Sequence, residues 1–253
     1  MKYVTAGKDG WAAINLDMPD RVPRTEYSAA SHWELVKTVT GIDVNSKSPG
    51  PERVKAANAF KREWNYDLEW NILINNREFG DVRTKMGHAT YASGGTDYDN
   101  QISCPFHDDI VWTEGAIFHP EWYRKYVFPN YKKYLAPLLE SGKKVLFTSD
   151  GCYTEFIDEI AATGVHGFVM EPITDMKYIA EKYGKTHVFV GNADTRILLN
   201  GTKEQIYNEV KRCMDIGKSC PGFFMAVGNH IPANTPVENA LYYNEVYKTL
   251  GRR

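Results

Sequence analysis

Several features that would indicate a common function are missing from the 253-residue sequence. Charge of one sign does not dominate, because 30 Lys and Arg residues stand against 32 Asp and Glu residues and the formal net charge is −2. Without a basic surplus, neither nucleic acid nor an anionic membrane is indicated as a partner. We therefore expect a small molecule or another protein as the partner, with no nucleic acid and no membrane.

Long apolar runs and cysteine frameworks are also missing. No stretch of about 18 uncharged apolar residues occurs, and the first residues do not contain the apolar core of a signal peptide. The sequence has only four cysteines, at spacings that fit neither a zinc ribbon nor a CxxC redox motif. The motifs GxxxxGK[ST], GxGxxG after a strand, GxSxG and HExxH are absent too. These absences predict a cytoplasmic protein without common nucleotide or serine-hydrolase chemistry.

What the sequence does contain is a rhythm that begins at Lys143. Four short apolar runs have the character of buried strands, and an amphipathic stretch follows each of them: KKVLFT, HGFVM, THVFV and GFFMAV. Strands separated by helices run parallel, so their carboxyl ends meet at one edge. Ligands bind at that edge in α/β barrels and in open sheets. The rhythm alone leaves both architectures open.

The sequence before Lys143 is less regular. Residues 29–40 and 51–63 have helical periodicity, with Pro51 in the first turn of the second helix. Residues 77–108 show no clear period, which predicts a loop or an irregular hairpin. A helical stretch over residues 120–142 is predicted to break or kink at Pro129.

Polar residues at the predicted strand ends are candidates for catalysis. Asp150, Glu171 and His230 follow three of the four strands, and carboxylates and imidazole are the usual groups for proton transfer. Cys152 adds a soft metal ligand beside Asp150. Each has a structural alternative: Asp150 would cap a helix beside a buried Cys152, Glu171 would face solvent, and His230 would stabilise its loop.

Three further residues at these ends are candidates for substrate binding: Asn192, Asp194 and Asn229. For Asp194 helix capping is the stronger interpretation, because Asp-Thr before an amphipathic run is an ordinary helix start.

Upstream, Asp108 and Asp109 follow His107, as in a metal or acid/base site. We assign substrate binding to Asp108 and a catalytic role to Asp109. The alternative for both is a solvated turn.

Longer segments of the C-terminal half resemble a known family. They run in a fixed order from Ser141 to Tyr243 and include SGKKVLFTSDG, TGVHGFVMEPITD, HVFVGNADTR and GNHIPANTPVEN. These segments resemble the uroporphyrinogen decarboxylase superfamily, which has a TIM-barrel fold and contains decarboxylases and corrinoid-linked methyltransferases. Near the start, DRVPRTEY is similar to the residues that lead into the family's first strand. The resemblance implies one α/β domain over residues 1–253, with the start of the barrel and an irregular segment over 1–107 and βα units over 108–253.

Departures from two branches narrow the implied function. The Arg-rich RQAGRY signature of the decarboxylases is missing, and Arg21 and Arg24 do not reproduce it. Methyltransferases that act on coenzyme M bind zinc through His-x-Cys and a later Cys, where this chain has Thr148, Asp150 and Asn229. The chain instead resembles members that demethylate methoxylated compounds or methylamines.

For such members the resemblance implies a small methyl donor and a partner protein that carries a corrinoid. Although the zinc set of the coenzyme M enzymes is not reproduced, we hypothesise a zinc site built from Asp150, Glu171 and His230, with Cys152, which would polarise the leaving group. A uroporphyrinogen decarboxylase-like lyase is one alternative. Another alternative is an inactive remnant that serves as a binding or oligomerisation module and forms a homo-oligomer.

The length of the chain supports that last alternative. Compared with a typical barrel of the family, about 100 residues are missing near residues 107–109. A closed eight-stranded barrel would then lack strands, since strand number, tilt and stagger are linked. We therefore predict an incomplete or rearranged TIM-type barrel, open or completed by a partner, with impaired or absent catalysis.

Overall fold

The computed structural model describes residues 7–69 and 109–253. Helices and short strands alternate through its C-terminal part, whereas its N-terminal part is mainly helical. In chain order the elements are α1 (Lys8–Ile14), α2 (Trp33–Thr40), α3 (Gly50–Glu63), β1 (Val111–Trp112), β2 (Gly115–Ala116), α4 (Pro120–Trp122), α5 (Phe128–Glu140), β3 (Leu146–Thr148), α6 (Ile157–Ala162), β4 (Gly167–Val169), α7 (Met176–Tyr183), β5 (Val188–Val190), α8 (Thr195–Asn200), α9 (Lys203–Gly217), β6 (Phe223–Phe224) and α10 (Val237–Leu250).

The sheet at the centre has the strand order β3-β4-β5-β6, and every neighbouring pair is parallel. Its register aligns one aromatic residue from each strand: Phe147, Phe168, Phe189 and Phe223. Residues aligned across parallel strands share a face of the sheet, so these rings form a row that packs under the helices. The four predicted strands and their parallel arrangement are confirmed.

The N-terminal segment extends this sheet. Arg24 forms a parallel bridge to Met225, just after β6, and a second parallel bridge to Tyr66 on its other side. The sequence predicted that DRVPRTEY leads into the first strand of a barrel, and the bridges place Arg24 of this segment beside the last strand of the array. Among residues 7–69 and 109–253 the parallel segments form an open array and do not close into a barrel, as predicted for an incomplete barrel.

The opposite face of the sheet holds a second apolar core. Val188, Val190 and Phe224 point into it and are almost fully buried. Helix α1 covers this core with Ala13 and Ile14. The sequence pattern did not predict α1, because a helix of seven residues offers too few turns for a clear period.

Most predicted helices are confirmed, with local differences that have physical causes. The predicted helix over residues 29–40 is a 3₁₀ turn followed by α2, because the His32 ring accepts a hydrogen bond from the backbone N–H of Leu35 and starts a new helix. Helix α9 begins with a capping box made by Thr202 and Gln205.

The helical stretch over residues 120–142 is interrupted before Pro129. A π-helical turn, Tyr123–Val127, joins α4 to α5. Pro129 lies in the first turn of α5, where its missing N–H removes no intrahelical bond. The prediction for residues 77–108 falls outside the described residues, and so do those for His107 and Asp108. No helix in the described ranges has the length and apolarity that crossing a lipid bilayer requires.

Candidate active site at the carboxyl edge of the sheet

Glu171 connects three strand-end loops of the candidate site. It follows β4, and its Oε2 atom accepts a hydrogen bond of 2.8 Å from the backbone N–H of Gly151, in the loop after β3. Its Oε1 atom accepts a bond of 2.5 Å from Nδ2 of Asn229, in the loop after β6. The alternative that Glu171 only faces solvent is therefore wrong, because both carboxylate oxygens are bound within the protein.

Asp109 and Asp150 lie beside this connection. The backbone N–H of Asp150 donates to Oδ1 of Asp109 over 2.9 Å. Since Gly151 donates its own N–H to Glu171, consecutive residues of the β3 loop are bound by two carboxylates. The Asp150 side chain is exposed. The structure thus brings Asp109, Asp150 and Glu171 together, as the sequence predicted.

Asn192 is fully buried and holds the β5 loop against the β4 loop. Its side-chain N–H₂ group donates to the backbone oxygens of Glu171 and Thr174, each over 3.2 Å. Arg212 of α9 donates to both oxygens of Asn192, at 3.1 and 2.9 Å. With all of its polar atoms used in this way, Asn192 is a structural tie. The substrate-binding role that the sequence predicted for it is untested.

Asp194 caps α8, as its stronger interpretation predicted. Its Oδ1 atom accepts the backbone N–H of Arg196 at 2.8 Å, and the Arg196 side chain binds the same carboxylate. Burial acts to raise the pKa of Asp194, but the hydrogen bonds from Arg196 outweigh it and hold the pKa below its usual range. The Arg196 side chain remains largely exposed at this edge.

His230 is half-buried and is fixed by contacts from three parts of the chain. Its backbone N–H donates to Oδ1 of Asn229 over 2.7 Å, and its carbonyl oxygen accepts from the hydroxyl of Thr195 over 2.9 Å. Its ring meets the Tyr27 ring edge to face, with centroids 4.9 Å apart. Because Tyr27 is partly exposed, the ring pair lies where a ligand at the edge could contact it.

The predicted zinc ligands are not arranged as a set. The Cys152 thiol contacts the Thr154 hydroxyl at 3.4 Å and the Ile173 carbonyl at 3.5 Å. Both oxygens of Glu171 already accept hydrogen bonds. Within residues 7–69 and 109–253, no group of three or more His, Cys, Asp or Glu side chains is placed to hold a metal ion. The residues present therefore do not fit the implied zinc, and no mechanistic step is assigned to it.

Sequence reasoning missed several residues that build this edge. Arg212 and Glu209 lie on α9, far from any strand end, yet Glu209 accepts the backbone N–H of Asp194 at 2.9 Å. Helical periodicity gave the only available signal, since Glu209 falls on the buried face of α9. Tyr27 ends the segment DRVPRTEY, whose resemblance to the start of the barrel was the only signal for it, and that resemblance did not point to His230.

The fold and this edge define the class of protein: a parallel α/β protein with its polar site at the carboxyl ends of the strands. Residues 90–250 match the family described as "Uroporphyrinogen decarboxylase (URO-D)", and the chain belongs to that family.

Curated relatives named uroporphyrinogen decarboxylase match about half of this chain. The protein of Syntrophotalea carbinolica is 27% identical over 128 residues, which are 51% of this chain and 37% of that protein. The protein of Carboxydothermus hydrogenoformans is 30% identical over 132 residues, 52% of this chain and 37% of the relative. The protein of Geobacter sulfurreducens is 26% identical over 144 residues, which are 57% of this chain and 42% of that protein. The matches thus span about two fifths of the length of these relatives.

Among solved structures, a methyltransferase from Methanosarcina mazei is similar to part of this chain. The match covers 52% of this chain and 38% of the methyltransferase. The sequence identity is 21% and the TM-score is 0.43.

Proposed function

We propose that the chain moves a methyl group from a small methoxylated or methylamine-type donor to a corrinoid carried by a partner protein. Within the family, this choice is supported by the contacts of Arg21 and Arg24, two arginines near the N-terminus. Arg24 has no exposed surface and binds Glu26 at 3.0 Å, while Arg21 binds both oxygens of Asp67 at 2.7 Å. Neither is free for the several carboxylates of a decarboxylase substrate, so a substrate without such carboxylates fits better.

The carboxyl edge holds groups that suit this reaction. When the methyl group leaves its donor, the bonding electron pair stays on the donor's oxygen or nitrogen. An ether oxygen must then gain a proton, whereas the nitrogen of a protonated amine leaves as a neutral group. The His230 imidazole is the group suited to supply a proton near neutral pH. Asp109 and Asp150 place negative charge at the same edge, which favours a donor with positive charge. The corrinoid, when its partner is bound, provides the acceptor for the methyl group.

The test is a methyl-transfer assay with the full chain and a reduced corrinoid protein. A panel of methoxylated aromatic compounds and methylated amines serves as donors, and methylation of the corrinoid is followed by its absorption spectrum. His230→Ala should lower the rate by about 10²-fold or more if the imidazole supplies the proton. Asp150→Ala should lower the rate as well, and more for amines than for ethers.

Matched control variants lie away from the strand ends. His119→Ala removes an exposed histidine that starts α4, and Asp215→Ala removes an exposed partner of Lys211 on α9. Both should transfer methyl groups at the rate of the unmodified chain. A folded chain that transfers no methyl group from any donor would contradict the proposal, and so would full activity in the His230 and Asp150 variants.

A second candidate is a decarboxylase, because the curated relatives carry that name. It predicts release of CO₂ from uroporphyrinogen, without a corrinoid protein. Release of CO₂ together with absent methyl transfer would replace the first proposal by the second. Failure of both reactions in a folded chain would support the inactive module, with which the short matched length agrees.

A further inference from the structure

The Glu171 carboxylate accepts a hydrogen bond at each of its two oxygens. A carboxylate can only accept, so both of its partners must present donors. Gly151 does so with its backbone N–H, and Asn229 does so with Nδ2. The Asn229 amide is thereby oriented with its oxygen pointing away from Glu171.

That orientation matters for His230. The oxygen of Asn229 accepts the backbone N–H of His230 over 2.7 Å. If the amide turned over, its oxygen would face the Glu171 carboxylate and its N–H₂ group would face the N–H of His230. Both contacts would then be repulsive. The charge of Glu171 therefore decides how the loop after β6 is held.

The loops around Glu171 are too close together for this arrangement to adjust freely. A Cβ atom added to Gly228 would lie 2.4 Å from Cδ of Pro172 and 3.0 Å from Cα of Glu171. The backbone oxygen of Glu171 also accepts from the buried Asn192 side chain. Glu171 is thus fixed from the β5 loop on its backbone and from the β3 and β6 loops on its side chain.

We infer that Glu171 is a positioning residue: its carboxylate, as an acceptor of two hydrogen bonds, orients Asn229 and so places His230 at the edge of the sheet. It acts through Asn229 and does not itself exchange a proton with the substrate or bind a metal. This rests on the proposed function for the role of His230, whereas the positioning itself can be measured without turnover.

Two substitutions that exchange the acceptor and donor roles of the Glu171 and Asn229 side chains test the inference. Glu171→Gln puts a second N–H₂ group opposite Asn229 or opposite the N–H of Gly151. Asn229→Asp puts two carboxylates opposite each other. In the double variant the new glutamine accepts from Gly151 through its oxygen and donates through its nitrogen to the new aspartate, which still accepts from His230. The double variant has the same net charge as the unmodified chain, and nearly the same side-chain volumes.

Two measurements are made on all four proteins. The first is amide hydrogen exchange at Gly151 and His230, whose N–H groups make the two bonds in question. We expect protection to fall about tenfold in each single variant and to return to within about threefold in the double variant. The second is the rate of methyl transfer, with the same pattern of loss and recovery.

The outcomes separate the possibilities. If protection recovers in the double variant but methyl transfer stays as low as in Glu171→Gln, then the carboxylate itself takes part in the chemistry and the inference is overturned. If protection does not recover, or never falls, Glu171 does not position the loop. If the unmodified chain transfers no methyl group, the proposed function fails, and the exchange pattern at Gly151 and His230 still decides the positioning role.

Discussion

Nε of Arg24 lies 3.0 Å from Oε1 of Glu26, and neither side chain has any exposed surface. The guanidinium also lies 4.3 Å from the centroid of the Trp64 ring, and the Tyr243 hydroxyl donates to Glu26 over 2.8 Å. The other Glu26 oxygen accepts the backbone N–H of Val227, just beyond β6. The pair therefore joins the N-terminal segment to the sheet and to α10.

Removal of Arg24 should leave an uncompensated buried carboxylate. We predict that Arg24→Met lowers the free energy of unfolding by about 3–5 kcal/mol. Urea denaturation measures the loss. Arg196→Met is the matched control, because the Arg196 side chain is 75% exposed in its pair with Asp194, and it should cost less than about 1 kcal/mol. Equal losses in the two variants would show that burial of the Arg24 pair contributes nothing.

Capping by Asp194 predicts a difference between two substitutions. Asp194→Ala removes the acceptor for the N–H of Arg196 and should cost about 1 kcal/mol, whereas Asp194→Asn keeps a capping oxygen and should cost much less. Thermal unfolding distinguishes them. Equal destabilisation by both would mean that the charge of Asp194, rather than its capping oxygen, stabilises this loop.

Cys213 should be inert in the folded protein. It is fully buried on α9, and burial raises the pKa of its thiol to about 12. Since the thiolate is the nucleophile, iodoacetamide at pH 8 should leave Cys213 unmodified while it labels the half-buried Cys152. Peptide mass spectrometry identifies the labelled residues. Labelling of Cys213 at the rate seen in urea would contradict its burial.

Asp158 should make stability depend on pH at the acid end. A hydrogen bond from Lys182, together with those from Tyr183 and Tyr178, holds the pKa of Asp158 below its ordinary value, although burial acts to raise it. A lowered folded-state pKa stabilises the protein above the unfolded value, near about 3.9, and this stabilisation is lost as pH falls through the folded value.

Comparison of unfolding between about pH 2 and 6 checks this prediction. Asp158→Asn should flatten the dependence, and Lys182→Met should flatten it similarly because it removes the same bond from the other side. The effect is modest, since both side chains are about half exposed. An unchanged slope in both variants would contradict it.

The βα units could be predicted because their signals are local. The Phe row and the apolar runs around it mark the strands, and Asp194 marks a helix start that the structure confirms. The placing of Asp150 and Glu171 at one edge also followed from sequence, because parallel strands bring their carboxyl ends together. Asp109 precedes the antiparallel strand β1, and its contact with Asp150 is known only from the structure.

The rest depends on contacts between residues distant in sequence. The hydrogen bonds by which Glu171 joins the β3 and β6 loops are known only from the structure, because Gly151 and Asn229 are distant from it in sequence. The zinc set was a list of suitable ligand types, and ligand type does not establish that four side chains converge. Arg212 reaches the site from a helix that carries no local motif, and the motif that contains Tyr27 did not indicate its contact with His230.

The bridges from Arg24 to Met225 and Tyr66 also define the folding unit. The match to the family model begins at residue 90, but a fragment cut there would leave the outer edge of β6 unpaired and the N–H of Val227 without its Glu26 acceptor. Such a fragment would expose a strand edge that invites aggregation. The residues that the family model matches and the residues that complete the sheet are therefore different parts of this chain.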